Sequence, residues 1–421
     1  MRNLSALQQY GLVTANYWAF TLTDGALRML VVFHFHQLGY SGLEIAFLFL
    51  FYELFGIVTN LTGGWLGARF GLRLTLWSGT LLQVAALLLL IPVSASWPKL
   101  FSVVYVMAAQ AMSGIAKDLN KMSAKGAIKA VVASRSEGLE GAGGQADAGE
   151  QRLFRWVAVL TGSKNALKGV GFFLGGVLLT AFGFSSAVAI LAGGLMVAFL
   201  ATLVLPKDIG RMKVKPGFQA LFSRSQGINI LALARFFLFG ARDVWFVVAL
   251  PLFLESALGW SFWEVGAFLG LWVIGYGIVQ GSAPSLRRAW GSTRPPGVAA
   301  LNVWGGLLCA VPALLAVGLW RDLANPGLAI VVGLAGFGVV FAMNSSIHSY
   351  LILAYSDAEA VSLNVGFYYM ANAAGRLVGT LLSGALVQQG GLPVCLLVSS
   401  GMALAAVLVS SRLPRLPQAA G

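Results

Sequence analysis

The sequence predicts an all-α membrane protein, with twelve spanning helices arranged as two six-helix halves. Three observations carry that expectation. Of the 421 residues, 58% are apolar and 10% charged, and the mean hydropathy is +0.81. A soluble domain carries roughly 25% charged residues, so this chain cannot build a water-soluble shell. The apolar residues also fall in long runs, each near the about 20 residues that cross a bilayer. Finally, a short segment of the first half recurs 220 residues further on, as Leu38-Gly39-Tyr40-Ser41 and Leu258-Gly259-Trp260-Ser261.

The runs lie between polar punctuation. The first two, 13–38 and 42–67, meet at the Leu38–Ser41 segment. Arg69 and Arg73 separate the second from the third, 74–93, and Lys99 opens the fourth, 99–118. A basic stretch follows and holds the Gly-rich, polar residues 134–151, which have the composition of a disordered linker or a tolerated loop insertion. The fifth and sixth runs are 153–181 and 184–205. Residues 206–226 are basic and contain Pro206 and Pro216, which suits a loop between the halves 1–205 and 227–421. The second half continues with 227–255, 262–284, 297–319, 327–350, 361–388 and 392–411. Residues 1–12 show no cleavage pattern, so the first span is expected to act as its own insertion signal.

The net charge of +13 is largely a topology signal. Twenty of the 28 Lys and Arg residues fall at the N-terminal side of the membrane, in the runs Lys117–Arg155, Lys207–Arg224, Arg287–Arg294 and elsewhere. The opposite loops hold only Lys99 and Arg321. Basic loops stay in the cytoplasm, so both termini are expected inside, in a bacterial inner membrane. Nucleic acid is not the expected partner; the lipid bilayer and a small solute are.

The other six cations fall within predicted spans: Arg28, Lys164, Lys168, Arg235, Arg242 and Arg376. The clear acids there are Asp24, Glu53 and Asp243, with Asp118 at a helix end. Charges in a membrane are costly and mark function by default. Asp24 and Arg28 are four apart, so they share a face and are expected to pair, with Tyr17 and Thr21 extending the stripe. Lys164 and Lys168 also share a face, where two like charges call for an anion. Arg235 and Arg242 are two turns apart; Arg235 either binds the solute or snorkels to the interface. Arg376 follows Asn372 by one turn. The surplus of positive charge fits a multiply charged oxyanion, which Arg meets with a bidentate fork and Lys with a compact charge. Arg28 and Arg242, one from each half, are the expected pair of forks. Glu53, Asp24 and Asp243 are the proton-coupling candidates, with Glu53 preferred because no charge lies within a helical turn of it in sequence.

Further segments carry a resemblance. Gly64-Trp65-Leu66-Gly67-Ala68-Arg69-Phe70-Gly71-Leu72-Arg73 resembles the loop signature of the major facilitator superfamily, with Ala68 at its usual aspartate. Gly162, Gly171, Gly175 and Gly176 are spaced as in that superfamily's exporters, without the later glycines and proline. The segments 16–28, 119–125, 160–169 and 240–246 resemble the ArsJ family of organoarsenical efflux permeases within it. The resemblance implies two parallel repeats with a solute site midway between them, and export of 1-arseno-3-phosphoglycerate. It also implies a functional link to a glyceraldehyde-3-phosphate dehydrogenase that makes the ester from arsenate.

Other function classes fare worse. No P-loop occurs, so ATP-driven pumping is not expected, and no catalytic triad or metal-hydrolase motif has usable spacing. The chain is expected to be a monomer that is not an enzyme and needs no cofactor or metal. His34 and His36 are read as interface residues, and Trp18, Trp245 and Trp272 as core or belt residues. Asn344 and His348 suit hydrogen bonds between helices as well as solute contact. Trivalent arsenic wants several soft thiolates, and only Cys309 and Cys395 are present. Uptake or exchange of organic phosphates or other anions remains open beside export, and a receptor or scaffold is the rival class.

Overall fold

The computed structural model describes residues 5–40, 44–45, 48–136, 145–206, 225–260, 262–292, 294–321, 325–357 and 360–414. Among them the regular structure is helical throughout: α1 Ala6–Gln37, α2 Leu50–Phe70, α3 Leu72–Leu90, α4 Lys99–Ser136, α5 Gln145–Ala201, α6 Gln226–Phe246, α7 Ala249–Ser256, α8 Phe262–Ala289, α9 Val298–Trp320, α10 Pro326–Ala354 and α11 Val361–Ser410. In lipid a helix satisfies its own backbone, which is why apolar runs of this length fold this way.

Two helices are too long for one crossing. The 57 residues of α5 would reach about 85 Å at about 1.5 Å per residue, against a hydrocarbon core of about 30 Å. It kinks at Gly183 (φ 74°, ψ 173°), between the expected spans 153–181 and 184–205. α11 kinks at Gly390 and Gly391, between 361–388 and 392–411. Eight stretches are long and apolar enough to cross a membrane, and two of these run through the kinks. With those arms counted separately, α1 and α2 added and α7 taken as the continuation of α6, the described residues form twelve spanning segments.

The repeat is structural as well as sequential. Gly39 (φ 79°) and Gly259 (φ 70°) both adopt the left-handed conformation that glycine takes without a steric cost. Each ends a helix with a reaching-back amide, Tyr40 to Phe35 O at 3.0 Å and Trp260 to Leu254 O at 3.0 Å.

Three expectations need correction. The fourth span was expected to end near residue 118, with Lys121, Lys125, Lys129 and Arg135 in a loop; α4 instead continues unbroken to Ser136. Of the Gly-rich stretch 134–151, residues 134–136 end α4 and 145–151 begin α5, while 137–144 lie outside the described residues. The span expected at 227–255 is interrupted between Phe246 and Ala249, where the Ala249 amide donates to Ser383 Oγ at 3.1 Å. Nearly all of the basic loop 206–226 lies outside the described residues.

Two compact units emerge. One comprises Met1–Ala142, Ser163–Phe222 and Asp357–Met370; the other Gly143–Gly162, Ser223–Ser356 and Ala371–Gly421. The first has a core built around Phe20, Leu27, Leu30, Phe35 and Leu87. The second has one around Leu238, Trp245, Phe337 and Phe341. Large apolar side chains such as Val58, Val177, Leu314 and Leu381 face outward, as a lipid-facing surface requires.

Candidate functional site

In the first unit, charged side chains of four helices gather around Tyr52 on α2. Its hydroxyl donates to Asp24 Oδ1 of α1 at 2.6 Å, and Lys168 of α5 stands 3.6 Å from Asp24 Oδ2. Arg28, one turn after Asp24, lies over the Phe49 ring at 4.9 Å and the Tyr52 ring at 5.3 Å. It reaches Glu53 Oε1 at 3.5 Å. Lys117 of α4 sits 3.8 Å over the Tyr52 ring and 3.9 Å from Glu53 Oε2. Gly114 makes that placement possible: a Cβ there would lie 2.9 Å from Tyr52 Cα, so only glycine lets α4 approach α2 so closely. Cations over an aromatic face are held electrostatically without being neutralised, and Arg28 and Lys117 share the carboxylate Glu53.

One turn along α4, Asp118 Oδ1 meets Lys121 Nζ at 2.6 Å, and Lys121 lies 4.3 Å over the Tyr369 ring. The other Asp118 oxygen is buried without a hydrogen bond. Tyr17 is buried, and its carbonyl accepts from the Thr21 hydroxyl at 2.8 Å. Lys164 is half-buried one turn before Lys168.

The second unit holds the arginines Arg235, Arg242 and Arg376 and the carboxylate Asp243. Asp243 is fully buried. It accepts from Arg242 Nε at 2.6 Å, with a second nitrogen of the same guanidinium at 2.5 Å. Arg376 Nε of α11 donates to its other oxygen at 2.9 Å. Arg235, only 2% exposed, donates to Asn372 Oδ1 at 3.0 Å and Ser345 Oγ at 3.1 Å, and stacks 3.9 Å over Phe239. Gln280 donates to the same serine oxygen at 3.3 Å. Arg242 lies over Phe239 as well, at 4.9 Å, so the two-turn spacing of Arg235 and Arg242 does put both against one aromatic ring. Two guanidiniums on one buried carboxylate leave a net positive charge, which a low-dielectric setting amplifies.

The structure rearranges several pairings read from spacing. Asp24 and Arg28 were expected to pair with each other; instead Asp24 takes Tyr52 and Lys168, and Arg28 takes Glu53. Glu53 was preferred as a proton carrier for want of a charged neighbour, yet Arg28 and Lys117 both face it across helices. The Lys164–Lys168 face is partly compensated, because Lys168 meets Asp24. Arg235 does not snorkel: it is buried and hydrogen-bonded inside the unit.

Tyr52, Ser345 and Gln280 escaped the sequence reading, and Lys121 was counted as a loop cation. The repeat Lys117, Lys121, Lys125, Lys129 at four-residue intervals was the signal that α4 continues. Asn344 donates to Leu301 O at 3.0 Å, and His348 is buried. Trp245 is core, Trp272 donates to Leu334 O at 2.8 Å, and His34 stacks on Phe184 at 4.2 Å. No group of three or more His, Cys, Asp and Glu with metal-holding geometry occurs among the described residues.

Comparison with known proteins agrees with this architecture. Residues 13–352 match the profile of the Major Facilitator Superfamily. No curated protein matches the sequence significantly. Among solved structures, a bacterial homologue of the iron transporter ferroportin in an outward-facing state aligns with TM-score 0.70 at 14% identity, over 96% of this chain and 99% of that one. The human organic anion transporter MFSD10 (TETRAN) aligns with TM-score 0.70 at 17% identity, over 96% and 99%. A proton:xylose symporter bound to a brominated glucose aligns with TM-score 0.73 at 13% identity, over 97% and 96%. At these identities the likeness shows the fold.

Proposed function

This chain belongs to the Major Facilitator Superfamily, and we propose that the solute it carries as a secondary transporter is a multiply charged organic anion, exported by alternating access. The preferred cargo is an arsenate or phosphate ester, 1-arseno-3-phosphoglycerate. The observation that carries the reading is the arginine-rich group in which Arg242 and Arg376 share the carboxylate Asp243 and Arg235 lies with Arg242 over the Phe239 ring. A purely structural ion pair needs one cation per carboxylate. Extra guanidiniums kept in the membrane are costly unless an anion visits them, and planar forks suit the tetrahedral oxyanion of a phosphate or arsenate.

The first unit has its own group of cations, Arg28, Lys117, Lys164 and Lys168, and these are proposed as anion-binding residues as well. Tyr17 and Asn372 are assigned supporting contacts, through its hydroxyl and through the orientation of Arg235 respectively. The segments that resemble the organoarsenical permeases contain Arg28, Lys164, Lys168 and Arg242 themselves. A pentavalent ester mimics phosphate and needs no thiolate, which suits a chain with two cysteines. The same cations would hold an organic phosphate, so uptake or exchange of such esters is the alternative. The halves 1–205 and 227–421, joined by a cytoplasmic loop 206–226, are assigned to the two repeats, with both termini in the cytoplasm of a bacterial cell.

The test is resistance in arsenate-sensitive bacterial cells. Expression of the chain should confer arsenate resistance only together with a glyceraldehyde-3-phosphate dehydrogenase that forms the ester, and should leave arsenite resistance unchanged. Resistance without such a dehydrogenase would overturn the cargo and favour the alternative.

A further inference from the structure

Far from the two arginine clusters, the turn after α1 and the loop between α3 and α4 enclose a cavity of about 470 Å³ in the first unit. That lies within the about 300–1,000 Å³ of small-molecule pockets. Tyr40 and Ser102 are buried in its wall, Trp97 is half-buried, and Ser94 and Lys99 are exposed at its rim. The aromatic wall is fixed by packing. The Tyr40 ring meets Phe35 edge-on at 5.0 Å, and Trp97 packs edge-on against Phe101 at 4.9 Å and Tyr105 at 5.1 Å.

The cavity carries one ion pair. Lys99 Nζ stands 2.7 Å from Glu44 Oε1 and 4.8 Å over the Tyr40 ring. Both side chains of the pair are more than a third exposed, at 53% and 37%, and a pair this open to water adds little to stability. Directly after Lys99 the outer surface of α4 turns apolar: Leu100, Phe101 and Val104 are each more than half exposed. Phe101 packs on Trp97, so the lipid-facing stripe begins at the cavity wall.

We infer that this cavity binds the headgroup of a zwitterionic phospholipid bearing a primary amine, its phosphate on Lys99, its ammonium on Glu44 and its acyl chains along Leu100, Phe101 and Val104. The ion pair is neutral as a whole, so an anion alone gains Lys99 but meets Glu44, whereas a zwitterion matches both. Ser94 and Ser102 line the same space and bring hydroxyl donors for phosphate oxygens. A primary ammonium donates N–H bonds to a carboxylate, and a quaternary one has none to give, which sets ethanolamine-type above choline-type headgroups. Tryptophan and tyrosine collect at headgroup depth, as Trp97 and Tyr40 do here. A soluble phosphate ester carries the same charge but leaves the apolar stripe uncovered. The inference is independent of the cargo.

The test offers purified full-length protein in detergent an equimolar mixture of phosphatidylethanolamine, phosphatidylcholine and phosphatidylglycerol with the same acyl chains. Retained lipid is counted by native mass spectrometry. The native chain should favour phosphatidylethanolamine over each of the others by roughly fivefold, the worth of one exposed ion pair. Glu44→Gln leaves Lys99 unbalanced, so the preference should pass to phosphatidylglycerol. Lys99→Gln should lose the preference and retain less of all three. Ser94→Trp fills the mouth without touching either charge and should also lose the preference. Equal retention of the three lipids by the native chain would overturn the inference, as would an unchanged preference in Glu44→Gln and Lys99→Gln. Should those two fail to fold, an unchanged preference in Ser94→Trp would overturn it equally. Glycerophosphoethanolamine, the same headgroup without chains, should compete poorly; competition as strong as the lipid's would assign the cavity to soluble phosphate esters instead. 3-Phosphoglycerate should not displace the lipid, and its displacing it would overturn the zwitterion.

Discussion

Asp243→Asn separates the internal counter-ion from the cargo's site most cleanly. The carboxylate is fully buried and is shared by Arg242 and Arg376, with contacts at 2.5, 2.6 and 2.9 Å. Removing one partner of a buried ion pair costs about 3–5 kcal/mol, because the other charge is left uncompensated. Asparagine keeps one carbonyl oxygen as acceptor, and a neutral contact is worth roughly half a charge-assisted one. The loss should therefore fall near the lower end, about 3 kcal/mol. The same change removes a resident competitor for both guanidiniums. One charge-assisted hydrogen bond is worth about 1.5–3 kcal/mol, so an added oxyanion should bind roughly tenfold tighter or better. The assay is thermal unfolding in detergent, with and without 3-phosphoglycerate. Without anion the variant should melt well below native; with saturating anion it should recover more than native gains, since stabilisation grows as the logarithm of ligand over Kd. Asp243→Glu keeps the charge and should lose less. A variant as stable as native, or one that gains no more from the anion than native does, would refute the counter-ion argument.

Other expectations are independent of it. Arg242→Lys keeps the charge but loses the Nε contact made to Asp243 at 2.6 Å; anion affinity measured by calorimetry should fall roughly tenfold or more, while Lys168→Arg should change it less. Arg28→Ala leaves Glu53 short of a cation, so Arg28→Ala with Glu53→Gln should be the better-folded variant by size-exclusion profile, whereas Arg28→Ala with Asp24→Asn should show no such rescue. A cysteine introduced in the loop 206–226 should be labelled by an impermeant maleimide only in everted vesicles; labelling from outside intact cells would reverse the topology.

Much of this was legible in the sequence, and the reason is physical. A bilayer filters segments by length and hydropathy, so the twelve spans, the turn glycines Gly39 and Gly259 and the buried charges could all be read before any coordinates. What hydropathy conceals is where a helix continues beyond the hydrocarbon. The lysines of α4 read as loop because charge was taken as its end, although their four-residue rhythm carried the opposite message. Nor does it reveal the break at Val247 and Val248; the signal there is Pro251, which has no amide to reach back to Val247 O.

Pairing was the least legible feature. Spacing puts Asp24 and Arg28 on one face, but a pair four residues apart is worth only about 0.2–0.5 kcal/mol on an isolated helix. In a packed bundle, neighbouring helices decide. Tyr52, Lys117 and Lys168 approach from three of them and redistribute the partners. The triad of Arg242, Asp243 and Arg376 could be listed as charges from the sequence, yet its closure depends on α6 and α11 packing side by side.

The central claim is that this transporter moves a multiply charged arsenate or phosphate ester, and transport into everted membrane vesicles tests it most directly. Vesicles containing the chain should accumulate freshly made 1-arseno-3-phosphoglycerate above control vesicles, with 3-phosphoglycerate competing and arsenite and free arsenate not transported. Accumulation of arsenite, or no accumulation of either ester by vesicles with correctly folded protein, would contradict it.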